Sequence, residues 1–101
     1  MCGVRALHFE WDARKATANL RKHGVSFAEA QSVFLDEEAL LMPDPDHSED
    51  EERFVLLGLS ASLRVLVVSH CYREGDDVIR IISARKADRG ERAEYNRRWR
   101  T

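Results

Sequence analysis

Two short stretches of this sequence hold side chains that could do chemistry. Arg21-Lys22-His23-Gly24 sets an imidazole, able to take or give a proton near neutral pH, beside two cations. Val78-Ile79-Arg80-Ile81-Ile82-Ser83-Ala84-Arg85-Lys86-Ala87-Asp88-Arg89 holds Arg80 inside an apolar run, with Ser83 and Arg85 at its exit. An arginine within a buried run is costly unless a carboxylate or an anionic ligand meets it. Two readings of Arg80 are open: a carboxylate from the acidic middle of the chain neutralises it, or it lines a site for something negative. For Arg21, Lys22 and His23 the ordinary account is that cations closing a helix oppose its dipole.

Two further groupings depend on alignment. If residues 73–77 close a symmetric hairpin, His70 faces Arg80 and Tyr72 faces Val78, so that Tyr72, His70 and Arg80 share one face. Together a phenol, an imidazole and a guanidinium could position a phosphate, move a proton and stabilise developing negative charge. A slip of one residue removes this grouping, and His70 and Tyr72 then simply finish a strand. On a C-terminal helix, Arg85, Arg89 and Arg92 would fall at i, i+4 and i+7, with Tyr95 and Trp99 continuing the stripe. Guanidinium groups interleaved with rings suit unpaired RNA bases. Tyr95 and Trp99 are equally the large apolar groups such a helix needs as anchors. CxxC, HExxH, glycine-rich phosphate-loop and GxSxG patterns are absent, and His8, His23, His47 and His70 are widely separated. No metal site and no cofactor are therefore expected.

The elements that must position these groups can be read in order. Alternation over 7–11 predicts a short strand, and Asp12 then caps a helix running to His23 and stopped by Gly24. Ser26-Phe27-Ala28-Glu29 is a capping-box pattern opening a second helix, which makes an αα-hairpin with the first. Strands follow at 39–42, 53–60, 63–72 and 78–84, the third of these apolar on both faces and therefore central. Asp88-Arg89-Gly90-Glu91 caps a last helix to about Trp99. Short turns between consecutive strands imply an α+β fold, an antiparallel sheet of about four strands packed with the αα-hairpin and the C-terminal helix. With 101 residues the chain builds one domain, of which residues 1–6 carry no pattern.

Charge is balanced in total, at −2, but not in distribution. Residues 80–101 carry eight Lys and Arg against three Asp and Glu, while 36–52 carry nine acids and no Lys or Arg. That asymmetry fits anion binding at one end. Two cysteines, Cys2 and Cys71, are too few for a disulfide framework and fit a reducing cytoplasm. No apolar stretch is long enough to span a bilayer and no signal-type region is evident, so the expectation is a soluble cytoplasmic protein without membrane contact.

These residues resemble the BrnT family of bacterial type II toxins. The likeness is carried by Phe9-Glu10-Trp11-Asp12, by Asn19-Leu20-Arg21-Lys22-His23-Gly24-Val25-Ser26-Phe27 with Ala30 and Val33-Phe34, by Glu52-Arg53, Gly58 and Val65-Leu66-Val67-Val68, and above all by Arg80 to Ala87 with Glu91-Arg92 and Tyr95. The resemblance implies a RelE-like fold and a ribonuclease that inhibits translation. It also implies neutralisation by a BrnA-like antitoxin in a hetero-oligomer, with operator DNA contacted only through the antitoxin. On this basis His23, Arg80 and Arg85 are the catalytic candidates, His23 moving a proton and the arginines stabilising phosphate. The RNA-binding candidates are Lys22, Arg64, His70, Tyr72, Lys86, Arg89, Arg92 and Tyr95. Two departures stand out. Ala61-Ser62-Leu63-Arg64 replaces a glycine-containing turn, and Gly90 weakens the first turn of the last helix by about 1 kcal/mol relative to alanine. The competing functions are a non-catalytic antitoxin-binding co-repressor and a plain RNA-binding protein.

Overall fold

The computed structural model describes residues 8–44, 52–73 and 77–97. The expected lead-in at 1–6, most of the acidic loop, the tip of the 73–77 hairpin and Trp99 lie outside the described residues. Strand β1 is His8–Glu10, helix α1 Ala13–His23 and helix α2 Phe27–Ser32, which runs on into a 3₁₀ turn at Val33–Leu35. Strands β2 (Leu40–Pro43), β3 (Phe54–Leu59), β4 (Val65–Arg73) and β5 (Val78–Lys86) follow, and then helix α3 (Arg89–Arg97).

The caps explain the helix boundaries. The Asp12 carboxylate accepts from Arg14 N at 2.8 Å and Lys15 N at 3.1 Å, satisfying two donors that the first turn leaves open. Gly24 ends α1 in the left-handed region at φ 69, where its N–H reaches Leu20 O. Ser26 Oγ accepts from Glu29 N at 3.0 Å, but Glu29 does not complete the expected box. Its carboxylate turns instead to Ser60 and Arg64. The box at α3 is complete: Asp88 Oδ1 accepts from Glu91 N and Glu91 Oε1 accepts from Asp88 N, both at 2.8 Å.

The sheet has five strands in the order β1-β5-β4-β3-β2, not four. It is mixed, because β1 joins β5 in parallel while every other pairing is antiparallel. The parallel step follows from the αα-hairpin and the three strands that intervene before the chain returns beside β1. Central β4 buries both faces. On the first face Leu66, Val68, Leu56 and Ile81 pack under Val25, Phe27, Ala30 and Val33 of the α1–α2 layer. On the second face Leu57, Val67 and Ala87 pack under Tyr95 of α3. Among the described residues no helix is long and apolar enough to cross a membrane.

Two local irregularities interrupt this pattern. The β4–β5 register pairs Ser69 with Ser83 but His70 with Ile81, so Ile82 is an extra residue and β5 bulges there. The β3–β4 turn, which lacks a glycine, places a non-glycine residue in the left-handed region: Leu63 takes φ 64 and is 78 % exposed. Leu63→Gly removes this strain at the cost of a freer unfolded chain. The expected gain is about 0.5–1 kcal/mol in urea unfolding, and an unchanged or lower stability would refute the account.

His70 is completely buried between Phe34, Phe54 and Tyr72. Its Nδ1 lies 3.2 Å from Val68 O and its Nε2 3.3 Å from Tyr72 Oη. Burial pushes its pKa below the ordinary 6.5, against a smaller opposing pull from the Val68 carbonyl. The unfolded chain therefore binds a proton near pH 6.5 that the folded chain refuses. Stability from this group is complete above that pH and is lost as pH falls through and below it. Urea unfolding at pH 7.5 and at pH 5.5 should show the loss, and the slope should flatten in His70→Phe. Identical slopes in the two proteins would mean that His70 is not held neutral.

Candidate active site

A cleft of about 260 Å³ opens on the second face of the sheet. It is lined by His23, Asp44, Arg53, Val55, Val67, Ser69, Ile82, Ser83 and Arg85. The strand pattern accounts for most of this lining. Arg53 and Val55 alternate with the core residues Phe54 and Leu56, and Val67 and Ser69 alternate with Val68 and His70. The bulge at Ile82 brings Ile82 and Ser83 to the cleft together and shifts the alternation beyond them. Arg85 therefore faces the cleft, and Ala84 the core.

His23 arrives from the other layer. Strand β1 covers β5 only as far as Arg80, leaving the β5 edge open beyond it. The C-terminal end of α1 docks there through Asn19, whose side chain bonds the backbone of Ala84. One turn further on, the half-buried His23 reaches the cleft.

In the cleft, Arg85 and Asp44 have partners on the protein. The Arg85 guanidinium meets Glu91 with both terminal nitrogens, at 2.8 and 2.9 Å. This pairing raises the Arg85 pKa and holds the Glu91 carboxyl below the usual carboxylate range. Asp44 accepts from Ser69 Oγ at 3.2 Å, and its N–H donates to Arg53 O at 3.0 Å. An imidazole, two guanidinium groups, two hydroxyls and the Asp44 carboxylate thus share one concavity. Such a set can move a proton and stabilise an anionic transition state. Among the described residues no three His, Cys, Asp or Glu side chains gather as metal ligands would.

The structure brings His23 and Arg85 together and leaves Arg80 elsewhere. Arg80 shares the second face but pairs with Glu10 at 2.9 Å, and Arg73 joins the same carboxylate at 3.5 Å. Its neutralising acid comes from β1, not from the acidic middle of the chain. The expected Tyr72–His70–Arg80 face is corrected by one residue of register. Arg80 stands opposite Cys71, and Tyr72 opposite Ile79, which turns His70 and Tyr72 to the opposite face. The expected helical stripe is also corrected, because Arg85 and Lys86 belong to β5. Arg64 pairs with Glu29 and donates to Gly24 O at 3.0 Å, tying the β3–β4 turn to the helical layer. Tyr95 is 2 % exposed and donates to Asp36 Oδ2 at 2.6 Å, so it anchors α3 and has no face free for a base. Lys22, Lys86 and Arg89 are exposed, and Arg92, exposed too, donates to Ala87 O at 2.9 Å. Asp44 and Ser69 are cleft residues that motif and spacing do not single out, and Arg53 enters only through the Glu52-Arg53 likeness, without a site role. Arg53 carries a signal all the same, a guanidinium beside an apolar run, as at Arg80.

A small helix-and-sheet domain with an imidazole and two guanidinium groups lining one cleft is the class of protein that this fold and site define. Residues 11–91 match the family model described as the ribonuclease toxin BrnT of type II toxin–antitoxin systems, and the chain belongs to that family. The fold is shared with the Brucella abortus ribonuclease toxin BrnT, whose crystal structure superposes with a TM-score of 0.63. The two sequences are 24 % identical over 83 % of this chain and all of that one. No curated protein matched the chain.

Tyr95→Phe removes the bond to Asp36 and nothing that faces the cleft. We expect a stability loss of about 1–2 kcal/mol in urea unfolding, with RNA affinity unchanged. A folded Tyr95→Phe protein that loses RNA affinity would return Tyr95 to the binding surface.

Proposed function

We propose that this BrnT-family chain is a metal-independent endoribonuclease that arrests growth by cutting RNA needed for translation. One observation supports the reading above the rest: His23 from α1, Arg53 from the segment leading into β3 and Arg85 from β5 line one cleft. In RNA cleavage without a metal, a base takes the proton of a 2′-hydroxyl, and that oxygen attacks the adjacent phosphorus. The bond to the 5′-oxygen then breaks, leaving a 2′,3′-cyclic phosphate, and the departing oxygen takes a proton from water. His23 is the base in this scheme, and Arg53 and Arg85 stabilise the crowded, negatively charged phosphorane. Phosphate competes with Glu91 for Arg85 when RNA enters. The exposed cations Lys22, Lys86, Arg89 and Arg92 guide the RNA backbone outside the cleft. Arg80 has at most a peripheral place.

Membership of a toxin–antitoxin family supports the following setting. A BrnA-like antitoxin binds the chain in the cytoplasm, and operator DNA is reached only through that antitoxin. The helix-on-sheet architecture supports kinship with RelE-type toxins.

The test is induced expression in a bacterial host, with growth and total RNA integrity followed together. Wild type should arrest growth with loss of RNA, and co-expression of the antitoxin should restore growth. In purified form, His23→Ala and Arg85→Ala should each cut about 10²–10³-fold more slowly. Arg80→Ala should stay within about tenfold of wild type, because its partly exposed ion pair is worth little. EDTA should change nothing. Full toxicity of both His23→Ala and Arg85→Ala would sink the cleft assignment. Intact RNA and normal growth with folded wild type would favour the non-catalytic co-repressor.

A further inference from the structure

Asn19 is buried on the inward side of α1, and its carboxamide is wholly engaged by backbone. Nδ2 donates to Ala84 O at 2.8 Å and to Val25 O at 2.9 Å, and Oδ1 accepts from Ala84 N at 3.1 Å. One side chain thus joins three segments: α1, the turn after that helix, and β5. It acts where β1 has already ended, giving Ala84 the pairing that a neighbouring strand would have supplied.

The placement of His23 depends on that joint. His23 lies one helical turn after Asn19 on the same face of α1, and Val25 lies just beyond it. The imidazole is therefore bracketed by two points that one amide holds. Across the joint, Ala84 separates Ser83 from Arg85, and both line the cleft. We infer that Asn19 is a positioning residue of the cleft, setting the His23 imidazole against Ser83 and Arg85 by locking the end of α1 onto β5. Its catalytic consequence rests on the reading of His23 as the proton carrier.

Such a role acts on rate and spares binding. Arg53 and Arg85 sit on or beside strands that the β4 ladder holds as well. Loss of Asn19 should displace the imidazole and leave the anion contacts. A misplacement of about 1 Å can cost about a hundredfold in rate. A buried amide that served stability alone would lower the melting temperature and leave the rate of the folded protein unchanged.

Asn19→Ala and Asn19→Asp test this. The aspartate keeps the size and the acceptor but loses both donors. Single-turnover RNA cleavage is measured well below each melting temperature, and affinity is measured with 2′-O-methyl RNA, which cannot attack its own phosphate. We expect cleavage about a hundredfold slower with affinity within about twofold. The His23 ring resonances should shift in both variants. A folded variant with a wild-type rate and wild-type His23 ring resonances overturns the inference. Should neither variant fold, the wild type decides: a freely exchanging Asn19 carboxamide refutes it. His23→Ala tells the two ideas apart, since wild-type cleavage there ends the proton-carrier reading while the His23 resonances of the Asn19 variants still report on the joint.

Discussion

The hydrogen bonds of the Asn19 carboxamide are what the rest of this small fold turns on. Its outer strands are short: β1 spans His8–Glu10 and β2 Leu40–Pro43, while β4 and β5 have nine residues each. Inner strands that outrun their neighbours carry backbone groups with no strand to meet, and leaving one buried and unmet costs about 1–3 kcal/mol. Polar side chains answer this at both edges. Asn19 completes β5 at Ala84, and Asp36 completes β3 by accepting from Leu59 N at 2.8 Å. Each edge residue also ties a second element to the sheet. Asn19 brings the end of α1 and with it His23. Asp36 takes the hydroxyl of Tyr95 and so holds α3.

The second face of the sheet is divided by the same logic. Helix α3 covers Leu57, Val67 and Ala87 through Tyr95, and the cleft occupies the part it leaves open. Space near Asp36 is tight. A Cβ on Gly58 would stand 2.8 Å from Ala39 Cβ and 2.9 Å from Val33 Cγ1, so only glycine lets the 3₁₀ turn approach β3 there. At the other end, Glu91 both caps α3 and holds Arg85. The guanidinium that faces the cleft is thereby kept extended and oriented before any anion arrives, and a helix terminus is coupled to the occupancy of the cleft.

Much of the architecture was legible in the sequence because it rests on local chemistry. Asp12, Gly24, Ser26 and the Asp88–Glu91 box mark their helix ends by direct side-chain bonds, and the two-sided apolar pattern of β4 demanded an inner position. Three things were not legible, each for a physical reason. The parallel pairing of β1 depends on which edge of the finished sheet is vacant, which no local pattern records. The bulge at Ile82 lies in an uninterrupted apolar run, where an extra residue leaves the hydrophobic pattern unaltered while reversing the faces of everything after it. The hairpin at 73–77 closes one residue away from symmetry, with Arg73 opposite Val78, and that slip turned His70 and Tyr72 to the first face. Of the catalytic candidates, His23 and Arg85 meet in the cleft. Arg53 carried only a weak signal, a guanidinium beside an apolar run, because a strand-leading arginine looks the same whether it points to solvent or to a site.

Arg80 and Arg85 show why the bulge and the edges must be considered together. Strict alternation would put these two residues, five apart on one strand, on opposite faces. The extra residue puts both on the second face, yet they serve different ends. Arg80 lies under the reach of β1, and its bond to Glu10, the last residue of that strand, fastens β1 where it stops. Arg85 lies beyond β1, where α1 has replaced a strand as the neighbour of β5. The pairing of β1 ends at Arg80, and from there the β5 edge is free for Asn19. Two arginines on one face of one strand thus differ by what lies beside the strand at each.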